Sequence, residues 1–232
     1  MQSKIYAHNH HIGTANLQVG DETMGGLFGE FIPTEYYFDH IQQLVWAISQ
    51  AKKTDTNTWH ALRLNVQLEN GMFLFPEGGI TIDDLQEFPD EPKRIDLVGV
   101  HSSLIRDYIL ENPLRPFVET PWEALTIEQK IGFEDELRKE LGATQTSLFR
   151  FMTNPPKHFL FDAEVSAFCR DQRNDDVLFA IKKADFDQHF ALIHLTWTGK
   201  QERDGYPHAA YYTDYDEFKH TVMYPDKAAW EE

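Results

Sequence analysis

Between Thr58 and Ile82 the chain reads TWHALRLNVQLENGMFLFPEGGITI, and this stretch restricts the possible folds more than any other. Leu62, Leu64, Val66 and Leu68 alternate with Arg63, Asn65 and Gln67. A period of two puts the apolar side chains on one face of a strand and the polar ones on the other. Asn70-Gly71 comes next, followed by the apolar run Met72 to Phe75. Asn-Gly supplies the two positive-φ positions of a type I′ turn, so the stretch predicts a β-hairpin. Pro76-Glu77-Gly78-Gly79 then breaks the second strand, and Ile80-Thr81-Ile82 can pair again.

The flanking segments predict what this hairpin packs with. Residues 12–32 read as a strand pair, with Ala15, Leu17 and Val19 on one face and a turn at Gly20-Asp21. Gly25, Gly26 and Gly29 crowd the second run, as at a bulge or where something approaches the backbone closely. MGGLFGEF lacks the Lys-Ser/Thr of a phosphate-binding loop, and no strand-to-helix context puts a helix N-terminus against it. Thr34 is placed to cap a helix whose stripe is Tyr37, Ile41, Leu44, Val45 and Ile48, with Tyr36, Phe38 and Trp46 suggesting a second buried face. Lys52 and Lys53 complement its C-terminal end.

The acids Asp83, Asp84, Glu87, Asp90 and Glu91 crowd the segment after the hairpin, which is punctuated by Pro89 and Pro92 and leads to the strand Arg94 to Val100. A short helix around Leu104 to Ile109 stops before Asn112-Pro113, and the prolines 113, 116 and 121 mark a linker at 112–121. Thr120-Pro121-Trp122-Glu123 and Thr126-Ile127-Glu128-Gln129 both carry helix-start signals ahead of Phe133, Leu137 and Leu141. Glu134 and Arg138 form an i,i+4 pair there. Residues 143–162 show no clear period. The last seventy residues predict an antiparallel meander over 164–170, 177–181, 190–198 and 209–213, closed by a helix capped at Thr213 or Asp214. The fold class is therefore α+β: a module over 1–111, a linker and helical segment over 112–162, and a meander with a helix over 163–232.

With 21 Lys and Arg against 38 Asp and Glu, the formal net charge is −17. Such a surface repels nucleic acid and anionic lipid, and it attracts a basic protein partner. No apolar run approaches the roughly 18 residues of a membrane span, and MQSKIYAHNHHIG has no signal-peptide core. A single cysteine fits a cytoplasmic location.

Residues capable of chemistry are few. His8, His10 and His11 precede the first firm strand without the fixed spacing of a metal motif, so no metal or cofactor is assigned. His194 lies in the apolar strand FALIHLTW, and the enzymatic reading is a hydrolase using it with Cys169 or a nearby carboxylate such as Asp175 or Asp176. Neither residue has the local context of a known nucleophile motif. The acid clusters lack the ligand spacing of a calcium loop. An anionic docking face is the reading favoured over catalysis, with Asp83, Asp84, Glu87, Asp90 and Glu91 as one patch and Asp171, Asp175 and Asp176 as another. A homodimer through exposed sheet edges is the structural alternative.

Gly13-x-Ala15-x-Leu17-x-Val19-x-Asp21, Met24-Gly25, Gly29-x-Phe31-x-Pro33 and Pro76-Glu77-Gly78-Gly79-Ile80 together resemble a group of bacterial immunity-type proteins that accompany polymorphic or contact-dependent toxins. Asp175-Asp176-Val177-Leu178-Phe179 with Ala191 to Trp197 looks like a second such module. The resemblance implies neutralisation of a toxin by occlusion of its active site, and it brings no catalytic residue with it.

Overall fold

The computed structural model describes residues 1–50, 56–142, 158–203 and 205–232. The chain divides into two compact units, Met1–Phe117 and Val118–Glu232. Both are antiparallel sheets with short helices, so the architecture is α+β.

The first unit holds strands β1 (Gln2–Ala7), β2 (His10–Asn16), β3 (Gln18–Asp21), β4 (Gly26–Pro33), β5 (Leu64–Leu68), β6 (Phe73–Leu74), β7 (Gly79–Asp83) and β8 (Lys93–Val98). Their spatial order is β6-β5-β1-β2-β4-β8-β7, with β3 also paired to β4. Ile5 on β1 faces Val66 on β5, and both are fully buried together with Ile12, Phe73, Ile95 and Leu97. Of the alternation read over 62–68, Val66 and Leu68 are buried and Leu64 is half-buried, while Asn65 on the other face is buried as well.

The predicted hairpin forms as β5-β6, but with a different turn. The Gly71 N–H donates to Leu68 O at 2.9 Å and the Leu68 N–H to Met72 O at 2.8 Å. Only Gly71, at φ +92°, is left-handed, and the Asn70 side chain accepts the Met72 N–H at 3.1 Å. This is a three-residue loop, a tight turn followed by a left-handed glycine, in place of the two-residue type I′ turn. The Ile80 strand does not return to the hairpin. Glu77 and Gly78 donate instead to Gly99 and Val98, which sends β7 to the opposite edge beside β8.

The glycine cluster reflects strand crowding, not a ligand. A Cβ on Gly29 would lie 2.7 Å from Asn16 O, and one on Gly25 would lie 2.2 Å from Val100 O. The helix expected after Thr34 starts with a wide π-helical turn, Tyr37–Ile41, that runs into α1 (Gln42–Gln50). The extra residue in that turn rotates the stripe. Tyr37, Ile41 and Val45 are buried, whereas Leu44 is 41% and Phe38 46% exposed. Thr34 donates its hydroxyl to His11 O and does not cap the helix. Lys52 and Lys53 lie outside the described residues. A short α2 (Thr56–Ala61) leads into β5, and α3 (Ser102–Ile105) continues through a π-helical turn to Glu111.

The second unit is a five-stranded sheet ordered β13 (Ala209–Tyr212), β12 (Phe190–His194), β11 (Asp176–Lys182), β10 (Glu164–Asp171) and β9 (Trp122–Ala124). The segment expected as linker and separate helix is divided: residues 112–117 belong to the first unit, and the chain from Val118 belongs to this one. Of its two helix-start signals, Trp122 goes into β9 opposite Asp171, and Thr126 caps α4 (Ile127–Glu140) with a reciprocal Gln129 bond. α4 packs on β10 and brings an unusual set of buried charges: Lys130, Glu134, Glu136 and Glu140. Lys130 Nζ reaches Glu134 and donates to Ser166 Oγ at 2.8 Å. The i,i+4 pair read from the sequence, Glu134 with Arg138, lies at 3.8 Å. Residues 143–157, within the stretch that showed no clear period, lie outside the described residues. The chain closes with α5 (Tyr215–Phe218), capped by Asp214 as expected, a π-helical turn and α6 (Tyr224–Glu231).

Candidate functional site

The acidic segment after β7 is held by a buried polar peg. Ile80, Ile82 and Asp84 share the inward face of β7 and its extension, while Thr81 and Asp83 point out. Asp84 is only 3% exposed. It accepts hydrogen bonds from Tyr37 Oη at 2.7 Å and Gln42 Nε2 at 3.0 Å, and Lys93 Nζ lies 3.4 Å away. Burial alone pushes its carboxyl up. The bonds from Tyr37 and Gln42, the neighbouring Trp46 indole and the Lys93 charge outweigh this and hold it below the usual carboxylate range. The Trp46 Nε1 itself finds no partner within hydrogen-bond geometry, so its effect is that of a nearby dipole. Burial, and after it the same carboxylate, drive the Tyr37 hydroxyl far up, so it stays a donor.

Asp84 is therefore removed from the predicted contact set. Two acids in succession look equally hydrated in a sequence, yet the strand period already pointed this one inward. Lys93 is equally enclosed, donating to Pro89 O at 3.1 Å and sitting 5.9 Å from the Phe38 ring centroid. Between these anchors the chain makes two tight turns, Phe88 N–H to Leu85 O and Glu91 N–H to Phe88 O. A bond from Gln50 to Gln86 at 2.6 Å ties the segment again to α1. What it presents outward is Asp83, Glu87, Asp90 and Glu91 together with Leu85 and Phe88, the last 53% exposed. Exposed Phe38 and Leu44 lie on the helix side.

In the second unit the predicted patch also loses one member. Asp171 is 1% exposed and is gripped by Arg173, whose Nε approaches both carboxylate oxygens at 2.9 and 3.0 Å. Arg173 reaches on to Asp226 at 2.9 Å, and Trp122 Nε1 donates to the same Asp226 oxygen. That network joins the β10 end to α6. Asp175 and Asp176 are placed differently: Asp175 accepts the Trp197 indole N–H at 3.0 Å, and Asp176 meets His194 Nδ1 at 2.8 Å.

The Cys169 and His194 pair does not form. Cys169 is fully buried opposite Leu178, and burial followed by the Asp171 charge pushes its thiol well up, away from a reactive thiolate. His194 instead faces Asp176 across β11-β12 at an exposed position. His10 and His11 lie in β2 rather than ahead of the first strand. His10 stacks on Tyr36 with centroids 4.4 Å apart, and Tyr36 in turn meets His40 at the same separation. Among the described residues no group of His, Cys, Asp or Glu side chains is arranged to hold a metal, and no helix is long and apolar enough to cross a membrane.

Sequence reasoning missed Glu140 and Trp197. Strand β12 ends at His194, and the predicted continuation through Trp197 is bent into a loop. Glu140 is 1% exposed at the end of α4, and its Oε1 accepts the backbone N–H groups of Thr196 and Trp197, each at 2.8 Å, and the Thr196 hydroxyl at 2.9 Å. Glu136 accepts the Gly199 N–H at 2.8 Å. Trp197 is left-handed, at φ +55°, and 48% exposed. A bulky side chain in that region is strained by roughly 1–3 kcal/mol unless neighbours enforce it. Here the Glu140 acceptor enforces it. The only sequence signal is the Thr-Trp-Thr-Gly run that ends the apolar strand, which reads as more strand until the buried glutamate is placed beside it.

No family model matches the chain, and no curated protein or solved structure is similar to it.

Proposed function

We propose that this chain is a protein-binding module whose partner is basic, and that it acts in the manner of an immunity protein by covering the active cleft of a cationic toxin. The observation that carries the reading is the peg at Asp84: a buried ion pair, a buried hydrogen bond from Tyr37 and a part-buried one from Gln42 hold out Leu85 and Phe88 among four exposed carboxylates. Exposed apolar side chains among carboxylates, with Arg94 opposite Asp83 at the edge, suit a complementary protein surface. The aromatic supplies affinity, and the carboxylates supply steering and register. Pre-organisation by the peg lowers the entropy lost on docking. An inhibitory complex of this kind buries roughly 1,200–2,000 Å² in total. The bacterial toxin setting comes from the sequence resemblance, and the net charge of −17 agrees with a cationic target.

Affinity capture from the native cell with the intact chain as bait tests this. The expected product is a basic protein whose toxicity or enzymatic activity disappears in the complex. Glu87→Lys with Glu91→Lys then slows association by at least tenfold at low salt and flattens its salt dependence, while Phe88→Ala speeds dissociation. A partner that is acidic, or an association rate indifferent to both charge reversals, would remove this face from consideration.

A further inference from the structure

We propose that the loop around Trp197 in the second unit is an arginine-binding site, taking a guanidinium from a basic protein partner between the open face of the indole and the carboxylate of Asp175. The proposal rests on the reading of the chain as a binder of basic proteins, but on different residues in a different unit. Trp197 has one face against Phe133, with centroids 5.8 Å apart, and its Nε1 edge is fixed by Asp175 at 3.0 Å. Trp197 is nonetheless 48% exposed. A tryptophan needed only for packing would be more fully buried, and a strand free to continue from His194 would not turn left-handed at its bulkiest residue.

The loop is also built to be rigid. Glu140 takes both N–H groups that the turn frees, Glu136 takes that of Gly199, and the Thr198 hydroxyl donates to Glu202 at 2.6 Å. The Glu202 N–H closes the loop onto Glu140 O at 2.9 Å. An aromatic side chain held in advance loses little freedom on binding, as a hot-spot residue should.

The ligand class follows from the charges around the ring. Among the described residues Asp175, Asp176 and Glu202 are acids of this loop and the turn beside it, and Asp176 meets His194 Nδ1 at 2.8 Å. Lys200 and Arg203 are exposed cations of the described part of the loop; Lys200 acts on Glu202, and Arg203 lies over Tyr206. The field at the indole rim therefore favours a cation and repels phosphate. Arginine fits better than lysine because its planar fork stacks on an indole face while donating edge-on to a carboxylate. The protein makes the same contact internally: Arg203 lies over Tyr206 and Arg94 over Phe28, each 4.4 Å from the ring centroid.

The test uses the full chain, isotope-labelled for NMR, titrated with an oligo-arginine peptide, with oligo-lysine and oligo-glutamate of equal length as comparators. The Trp197 indole N–H resonance, assigned by its loss in Trp197→Phe, should shift saturably with oligo-arginine, several-fold more tightly than with oligo-lysine and not with oligo-glutamate. Asp175→Asn, an exposed change that leaves the fold in place, should weaken that response about tenfold, the scale of one cation–π contact with its charge-assisted bond. Glu87→Lys with Glu91→Lys should leave the Trp197 response intact, which separates this site from the face in the first unit. An indole resonance that stays still while oligo-arginine binds elsewhere would overturn the proposal, as would equal response to lysine or indifference to Asp175→Asn.

Discussion

Asp84 and Asp83 are adjacent, chemically identical and opposite in role. Asp83 ends β7 on the outside, whereas Asp84 is enclosed by Tyr37, Gln42 and Lys93. Removing its carboxyl leaves Lys93 buried without its counter-charge, so Asp84→Ala should destabilise the first unit by about 3–5 kcal/mol. The pH dependence has a definite sign. Its carboxyl is held below the usual range when folded, so the contribution is fully present above the unfolded value near 4 and is lost as pH falls through the folded value. Denaturant midpoints of the wild type and Asp84→Asn should therefore converge as pH falls below about 4. A gap that stays constant into acid would mean the carboxylate charge is not what holds the peg.

At the scale of elements, α4 shows how a helix can carry information its apolar stripe does not. Phe133, Leu137 and Leu141 are buried as their spacing predicts, and so are Lys130, Glu134, Glu136 and Glu140, which no periodicity flags. Glu140 is the helix's grip on the loop that follows β12. Burial pushes its carboxyl up, the bonds from Thr196 and Trp197 pull it back, and the Glu136 charge pushes it up again, for a net rise. A carboxyl raised in the folded state makes the fold most favourable below its unfolded value, near 4.3, and weakens it as pH climbs through the folded value. Its Oε2 has no partner, so the charged form is poorly served. Glu140→Gln keeps an acceptor for the loop and should remove that decline. Thermal melts from pH 4 to 8 would show it as a flatter curve than the wild type. A curve as steep as the wild type's would assign the decline to another group.

For the molecule as a whole, charge and sheet edges bear on self-association. The first sheet ends in β6, of two residues, and in β7, which carries Asp83; the second ends in β9 and β13, of three and four residues. Short or charged edges are poor templates for pairing with another copy. A net charge of −17 on each chain adds repulsion. Light scattering at low ionic strength should accordingly give the mass of one 27.0 kDa chain. A mass of twice that would revive the edge-paired homodimer.

The sequence by itself determined the fold class, most of the strands and the helix starts at Thr126 and Asp214, because burial on one face of a strand leaves a period of two and a capping residue leaves a local signature; β1 and β9 were not legible in it. It also determined the sign of the surface. Sheet order, and the choice of which acids face solvent, were decided only in three dimensions. Pro76 and the glycines after it could not say that β7 would cross to the far edge beside β8, since strand pairing depends on partners distant in sequence. Asp84 and Asp171 left the predicted patches because Lys93 and Arg173 stand beside them in the fold. Trp197 entered because a glutamate 57 residues earlier needs its backbone N–H, a demand that exists only once α4 and the end of β12 are side by side.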